Sequence, residues 1–329
     1  MPGLNASRTA VLAGCVVVLG AVALVSMGVG AQALAPAQVW RALVSPGVSD
    51  ADTIVRDIRF PRMVLALAVG AALAAAGALL QTATRNDLAD PGILGVTAGA
   101  GFAITLGTVL GLTGTQYGQL VLAVAGAGIA AVVVYSVGRS SPLRLLLAGV
   151  ALSMVLSGLS LGLRLIVPDA FDRFRFWAVG SLAGREQIPL TVPIAVIGIA
   201  LAGALMVARQ LEALLLGEDV AQSLGVNVTR TRFAVLVLVT LLAGAATAVA
   251  GPMVFVGLIV PHLVRPLAGN SVPWLVVFTI VLGPVLVLVA DIASRVLLTT
   301  GEVPVSIVLA VIGGPVLIWV VRDRRTAPL

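Results

Sequence analysis

Few side chains in this chain could carry out covalent or metal chemistry. The sequence contains one cysteine, Cys15, and one histidine, His262, which supports neither an internal disulfide nor a cysteine–histidine metal site. No acid or nucleophile is placed near His262, so we interpret this histidine as structural or interfacial. Paired carboxylates, a G-x-S-x-G turn and an H-E-x-x-H zinc motif are absent as well. The sequence therefore predicts no catalytic residue and no metal site.

All twenty basic residues are arginine. Without a lysine, the chain lacks the phosphate-binding loop of nucleotide hydrolases and cannot form a lysine Schiff base. The arginines are scattered over several loops and do not gather into a basic face that also carries aromatic residues, so no nucleic-acid partner is expected.

Ionisable residues are also scarce within the apolar segments. Asp291 is followed four residues later by Arg295, a spacing that lets the two pair on one helix face. A proton- or sodium-coupled carrier usually needs buried carboxylates, and this chain offers almost none. Any transport would then be driven by diffusion down the substrate gradient or by a separate protein that supplies energy.

The elements that must position these residues are membrane helices. The composition is 60% hydrophobic and 10% charged, which predicts an all-α polytopic membrane protein made of a single transmembrane domain, 1–329. The first apolar run, 9–35, is too long for a signal peptide and is interpreted as a retained span. Nine further spans are predicted at 62–82, 93–111, 117–137, 144–167, 189–208, 233–250, 253–267, 273–294 and 304–321.

Two of these spans contain similar sequences. Residues 70–77 read GAALAAAG and residues 244–251 read GAATAVAG. In the predicted topology the two spans run in opposite directions, as an inverted internal repeat requires, and such repeats are typical of transporters.

The longest polar interruption in the second half of the chain is the loop at about 209–232. Acidic residues at 218 and 219 and a glycine at 225 predict a short helix over 218–224, outside the bilayer. This helix could present a surface to a soluble partner, or the loop could be an ordinary polar connection. The loop and the arginine-rich tail at 322–325 are both placed in the cytoplasm, although the arginine counts on the two sides are too similar to fix the orientation.

With this orientation an arginine cluster lies on the outer side, where basic residues are unusual. Arg62 is interpreted as an interfacial residue whose side chain reaches the membrane surface. Arg56, Arg59 and Arg295 are interpreted as exposed residues that bind the carboxylates of a soluble partner. The amphipathic segment 168–185 predicts an extracytoplasmic helix along the membrane surface.

Three blocks of this sequence resemble the FecCD-type permeases, the membrane subunits of ATP-driven importers for ferric siderophores, haem and vitamin B12. These blocks are RFPRMVLALAVGAALAAAGALLQTATRNDLADPGILGVTAGAG (59–101), GPMVFVGLIVPHLVRPLAGN (251–270) and ADIASRVLLTTGEVPVSIVLAVIGGPVLIWVVR (290–322). They fall in the order that the family has, and the similarity extends over nearly the whole chain.

The resemblance implies a ten-span subunit in a bacterial cytoplasmic (inner) membrane, with both termini in the cytoplasm. Its implied partners are a second permease subunit, two cytoplasmic P-loop ATPase subunits that bind ATP and magnesium, an extracytoplasmic binding protein and an iron–siderophore substrate. The permease itself would hold no cofactor.

The resemblance also assigns roles to individual positions. The residues matched to the ATPase-coupling helix are Glu218, Asp219, Ser223, Leu224 and Gly225. Arg56, Arg59 and Arg295 match arginines that meet glutamates of the binding protein in a vitamin B12-transporting relative. The loops matched to the cytoplasmic gate contain Asn86, Leu88, Ser141, Pro142 and Leu143. The sequence SSPLR at 140–144 does not reproduce the polar gate pair of that relative, which argues against vitamin B12 as cargo.

Three alternatives stay open at this point. The chain could act alone as a secondary carrier or channel, which transport driven by an ion gradient would indicate. The same importer class could carry haem or vitamin B12 in place of a siderophore. A membrane enzyme is disfavoured because no catalytic constellation is present.

Overall fold

A computed structural model describes residues 2–324 apart from 31, 46, 48, 139–141, 168–170, 172–173, 176, 185–189 and 299–300. The described residues form helices joined by short connections. Numbered in chain order, the longer helices are α1 (Pro2–Gly28), α4 (Phe60–Thr84), α5 (Val96–Val109), α6 (Gln116–Gly138), α7 (Pro142–Ile166), α8 (Thr191–Leu215), α10 (Val228–Ala250), α11 (Val256–Ala268), α12 (Val272–Val296) and α13 (Val305–Arg324). The shorter ones are α2 (Pro36–Val44), α3 (Asp50–Thr53) and α9 (Glu218–Ser223), with a π-helical turn at Ile54–Arg59 and a 3₁₀ turn at Pro91–Leu94.

The predicted all-α membrane fold is confirmed. Seven of the described helical segments are long and apolar enough to cross a membrane, and α5, α11 and most of α13 are shorter apolar helices. These ten helices correspond one to one with the ten predicted spans. The weakest prediction, at 253–267, is a helix of thirteen residues that contains two prolines.

Helix α4 lies at the centre of the bundle. Nearly every residue from Leu65 to Thr82 is buried, and α8, α10, α11 and α12 all pack against it. Small residues allow this close approach: a Cβ added to Gly77 would lie 2.6 Å from the Cα atom of Gly257 in α11, and one added to Gly70 would lie 2.7 Å from the carbonyl oxygen of Gly283 in α12. The backbones therefore meet where a larger side chain could not fit.

The packing follows the predicted inverted repeat. Helix α4 contacts α11 and α12, and α10 makes the corresponding contacts with α5 and α6. Within the two halves, α5, α6 and α7 pack on one another as α11, α12 and α13 do. The similar segments at 70–77 and 244–251 make matching contacts. Gly70 approaches Gly283 of α12, and Gly244 approaches Ala127 of α6, the helix that corresponds to α12. The two halves of the bundle thus share one packing scheme.

Candidate functional site

The bundle has two functionally distinct ends. The α9 end is the one that carries α9, the C-terminal ends of α4, α8 and α11, and the N-terminal end of α12. The opposite end carries α2, α3, the N-terminal end of α4 and the C-terminal end of α12. A Cβ on Gly269 would lie 2.7 Å from the guanidinium of Arg8, so α1 begins at the α9 end. Helix α13 starts next to Gly180 and Val179, at the opposite end, and therefore finishes at the α9 end as well.

Helix α9 is the short helix predicted at 218–224, and the structure ends it at Ser223. Gly217 and Gly225, both at positive φ, bracket it. Ala221 is fully buried and anchors the helix on the bundle. Glu218 accepts a hydrogen bond of 2.6 Å from Arg232 of α10.

Exposed apolar residues lie on α9 and at both of its ends. Val220 within the helix and Leu224 at its C-terminal cap are four residues apart, and Leu224 is 62% exposed. Leu216, also exposed, precedes Gly217. The structure brings the predicted coupling residues together on this one turn and its end, all of them exposed: Glu218, Asp219, Ser223, Leu224 and Gly225. An exposed apolar stripe flanked by acidic groups is a surface suited to a protein partner.

Beside α9 lies a cavity of about 420 Å³. Its wall includes Thr84 and Arg85 at the end of α4, Leu145 near the start of α7, and Glu218 of α9. The end of α4 and the start of α7, which flank the two predicted gate loops, therefore line the same cavity. Of the predicted gate residues, Asn86, Leu88 and Leu143 are exposed, Pro142 is the first residue of α7, and Ser141 lies outside the described residues.

Side chains of the loop after α4 attach it to two other helices. Arg85 donates a hydrogen bond of 2.6 Å to the carbonyl oxygen of Leu214 in α8. Asp87 forms an ion pair with Arg265 of α11, which also donates to Gln81. A second cavity of about 890 Å³ lies along these residues.

At the opposite end, three arginines were expected to be exposed. The expectation is correct for Arg56 and wrong for Arg59 and Arg295. Arg56 is exposed and donates to the carbonyl oxygens of Ala42 and Leu43 at the end of α2. Arg59 and Arg295 are each 5% exposed. The physical reason is that the last carbonyl groups of α1 lack helical donors, and these two guanidinium groups supply them. Arg59 and Arg295 are therefore buried, and not exposed as was expected for residues that bind a soluble partner. Their role in docking stays a prediction.

The carbonyl groups that accept these bonds form the end of α1 and the turn after it. Arg59 donates to Met27 at 2.7 Å and to Gln32. Arg295 donates to Ser26 at 2.8 Å and to Val29 at 3.2 Å. Two arginines from two other helices thus fix where α1 ends.

Arg62 is buried, so its interpretation as an interfacial, snorkelling residue is wrong. Its guanidinium lies 2.8 Å from the carboxylate of Asp291 and 2.7 Å from that of Glu302. Asp291 also pairs with Arg295, which confirms the pairing predicted from their spacing. The partner for Arg62 could not be found from the sequence because it lies 229 residues away. A buried carboxylate shared by two arginines joins α4 to α12 at this end.

The segment predicted as a surface helix, 168–185, falls partly outside the described residues. Its described part packs into the bundle, since Trp177 and Leu182 are buried and the Trp177 indole donates to the carbonyl oxygen of Thr247 at 3.0 Å. Phe174 packs against Trp177 in a tilted arrangement and lies under the guanidinium of Arg164. Phe174 and Trp177 therefore face other residues of the bundle, whereas Phe171 is exposed.

His262 is partly buried within α11. Among the described residues, no group of three or more histidine, cysteine or carboxylate side chains is arranged to hold a metal ion.

In the part of the chain that the structure describes, ten apolar helices, one of them buried at the centre, and a short exposed helix between two of them define a polytopic membrane transport subunit. The chain belongs to the FecCD transport family, which matches residues 17–323. It is 45% identical over 324 residues to the ferric enterobactin transport system permease protein FepD of Escherichia coli, covering 97% of this chain and 96% of that protein. It is 38% identical over 290 residues to YfiZ of Bacillus subtilis, described as a probable siderophore transport system permease protein, with 87% of each chain covered.

A solved structure agrees with this family. The chain matches an inward-facing conformation of a metal-chelate type ABC transporter with a TM-score of 0.85 and 30% identity, over 96% of this chain and 99% of that one. The resemblance to FecCD-type permeases stated from the sequence is thereby confirmed.

Proposed function

We propose that this chain is the transmembrane permease subunit of an ATP-binding-cassette importer and that its cargo is a ferric siderophore. The observation that carries the proposal is α9, a short helix between two spans that buries Ala221 and exposes Val220, with the exposed Leu216 and Leu224 at its two ends. A chain without lysine has no phosphate-binding loop, so transport driven by ATP requires a separate ATPase. Helix α9 offers that ATPase a contact surface. The siderophore assignment is supported by the FepD and YfiZ relatives.

The assembly that we propose contains two permease subunits, identical or related, and two P-loop ATPase subunits that bind ATP and magnesium. A binding protein outside the membrane delivers the chelate. The α9 end faces the cytoplasm of a bacterium, which places both termini of the described chain there. ATP binding and hydrolysis move α9, and the helices rock so that a path between the two permeases opens alternately to each side.

Purification and reconstitution test the function. We expect the chain, extracted gently from its native membrane, to bring a P-loop ATPase with it in equal amounts. In proteoliposomes that also receive the binding protein, ferric siderophore should accumulate only when ATP is supplied to the ATPase. A folded chain that comes alone and transports in response to an ion gradient, without ATP, would make it a secondary carrier.

We further propose that the binding protein docks on the opposite end, with Arg56 in direct contact with its carboxylates. Arg59 and Arg295 contribute indirectly, because they hold the end of α1 beside this surface. An Arg56→Glu substitution should weaken binding of the binding protein about tenfold or more, since a charge pair becomes a repulsion. Surface plasmon resonance on the reconstituted transporter would measure this change.

Two controls separate docking from structure. Arg322→Glu reverses an exposed charge in the last turn of α13, at the α9 end of the bundle, and should leave docking unchanged. Arg56→Gln keeps a donor for the α2 carbonyl groups but removes the charge, so it should weaken docking less than Arg56→Glu. If the glutamine variant binds as well as the unmodified protein, the charge of Arg56 is not needed for docking, Arg56 acts by holding α2, and the direct contact is ruled out.

A further inference from the structure

The turn that ends α4 has an unusual residue at its left-handed position. Arg85 adopts φ 51° and ψ 34°, a conformation that glycine or asparagine normally occupies at a helix C-terminus. A side chain with a Cβ atom is disfavoured there, because the Cβ approaches the following carbonyl oxygen. The next residue, Asn86, is better suited to this conformation than arginine. The side chain of Arg85 must therefore contribute something that offsets this cost.

The guanidinium of Arg85 caps a different helix. It donates at 2.6 Å to the carbonyl oxygen of Leu214, in the last turn of α8, which also accepts from the N–H of Gly217 at 3.2 Å. A cation at this position also interacts favourably with the helix dipole. Only three residues separate Leu214 from the start of α9. Arg85 thus connects the end of α4 to the segment that leads into α9.

The residues on either side of Arg85 are fixed to α11. Gln81 is 1% exposed, donates to the carbonyl oxygen of Gly257 at 3.0 Å and accepts from Arg265 at 3.0 Å. Arg265 also pairs with Asp87. Arg85 is therefore attached to α8 and Asp87, two residues later, to α11, with Asn86 between the two attachments.

We propose that Arg85 is the positioning residue through which a displacement of α9 reaches the loop 86–88. The proposal rests on the proposed function, in which α9 moves with the ATPase and residues 86 and 88 belong to the gate. When α9 and the end of α8 shift, the bond from Arg85 carries the end of α4 with them. Because Asp87 stays attached to Arg265, the backbone between the two attachments must change its conformation.

The first test separates ATP hydrolysis from transport in the reconstituted importer. Arg85→Asn suits the left-handed backbone and removes the reach to Leu214, so the fold should be retained. We expect uptake of the ferric siderophore to fall about tenfold, the factor that corresponds to losing 1.4 kcal/mol of coupling, while the rate of ATP hydrolysis changes less than twofold. Arg85→Lys, which retains a long cationic donor, should recover part of the uptake.

Arg209→Ala is the matched control. Arg209 is exposed, lies near the end of α8 and lines the same 890 Å³ cavity as Arg85. Its removal should leave both uptake and hydrolysis at the level of the unmodified protein. The proposal is overturned if Arg85→Asn transports normally, if uptake and hydrolysis fall by the same factor, or if Arg209→Ala has the same effect as Arg85→Asn.

The second test needs no transport and so remains valid if the proposed function fails. Amide hydrogen exchange in the purified chain, in nanodiscs, reports the backbone bonds within residues 81–89, such as the one from Asn86 to Gln81. Arg85→Asn should speed exchange of these amides more than tenfold, and Arg209→Ala should not. Unchanged exchange in Arg85→Asn would show that the Arg85 bond does not hold the loop. If the unmodified importer shows no ATP-dependent uptake but the exchange rates change as expected, the proposed importer function is rejected. The conclusion that the Arg85 bond holds the loop is then retained.

Discussion

Replacing Asp291 with alanine is expected to lower the free energy of unfolding by about 3–5 kcal/mol, because it leaves two buried guanidinium groups without their shared carboxylate. Asp291 is fully buried and contacts both Arg62 and Arg295. Arg62 retains Glu302, but that residue is 38% exposed and cannot replace a buried partner. The thermal unfolding midpoint of the purified chain in detergent would measure the loss.

The control for this substitution is Glu302→Gln. It removes the other carboxylate that Arg62 contacts, but at an exposed site, where an ion pair contributes about 0–1 kcal/mol. A small decrease in the midpoint is therefore expected. Equal decreases in Asp291→Ala and Glu302→Gln would mean that burial of the Asp291 carboxylate is not what stabilises this end of the bundle.

The two ends of the bundle are held by interactions of different strength. At the opposite end, buried charges join α4 and α12, and buried guanidinium groups hold the end of α1. At the α9 end, the pairs Glu218–Arg232 and Asp87–Arg265 are both partly exposed to solvent. Exposed pairs are screened and are weaker than buried ones. We therefore expect conformational change to begin at the α9 end, while the opposite end moves as a unit.

Much of the fold could be predicted from the sequence because span length is a local property. An apolar run must be about twenty residues long to cross a bilayer, and its boundaries are visible in the chain itself. Helix α9 was predictable for a similar reason, since its acidic start and its glycine end are local signals. The pairing of Asp291 with Arg295 follows from a spacing of four residues.

The central position of α4 and the partners of the buried arginines could not be predicted, because they depend on which helices pack together. Helix α4 is apolar on all sides, so no face of it indicates that it lies at the centre. The positions of Arg59 and Arg62 look alike in the sequence, one turn apart before an apolar run. Their partners, the end of α1 and Asp291, are reached only through long-range packing. The hydrogen bond from Arg85 to Leu214 could not be predicted either, because the two residues are 129 positions apart in the sequence.

Placing aspartate at both Val220 and Leu224 is expected to remove the ATPase from the purified importer. These two side chains are exposed on α9, at the surface where we propose the ATPase binds. Burying a valine or leucine side chain contributes about 1.5–3 kcal/mol, so the double substitution should weaken association at least a hundredfold. The fold should be retained, because Ala221, which anchors α9, is unchanged. Quantifying the ATPase that co-purifies with the permease would measure the effect.

A matched control adds the same two charges beside α9 without altering it. Asn227 caps α10 and Thr229 lies in its first turn, both exposed. Aspartate at these two positions suits the helix N-terminus and should leave the ATPase bound. If this control loses the ATPase as completely as the Val220→Asp/Leu224→Asp variant does, added charge near the loop is the cause and α9 is not the contact. If the α9 variant keeps its ATPase, the apolar stripe of α9 serves another purpose, and the relation that we propose between α9, Arg85 and the gate loop loses its starting point.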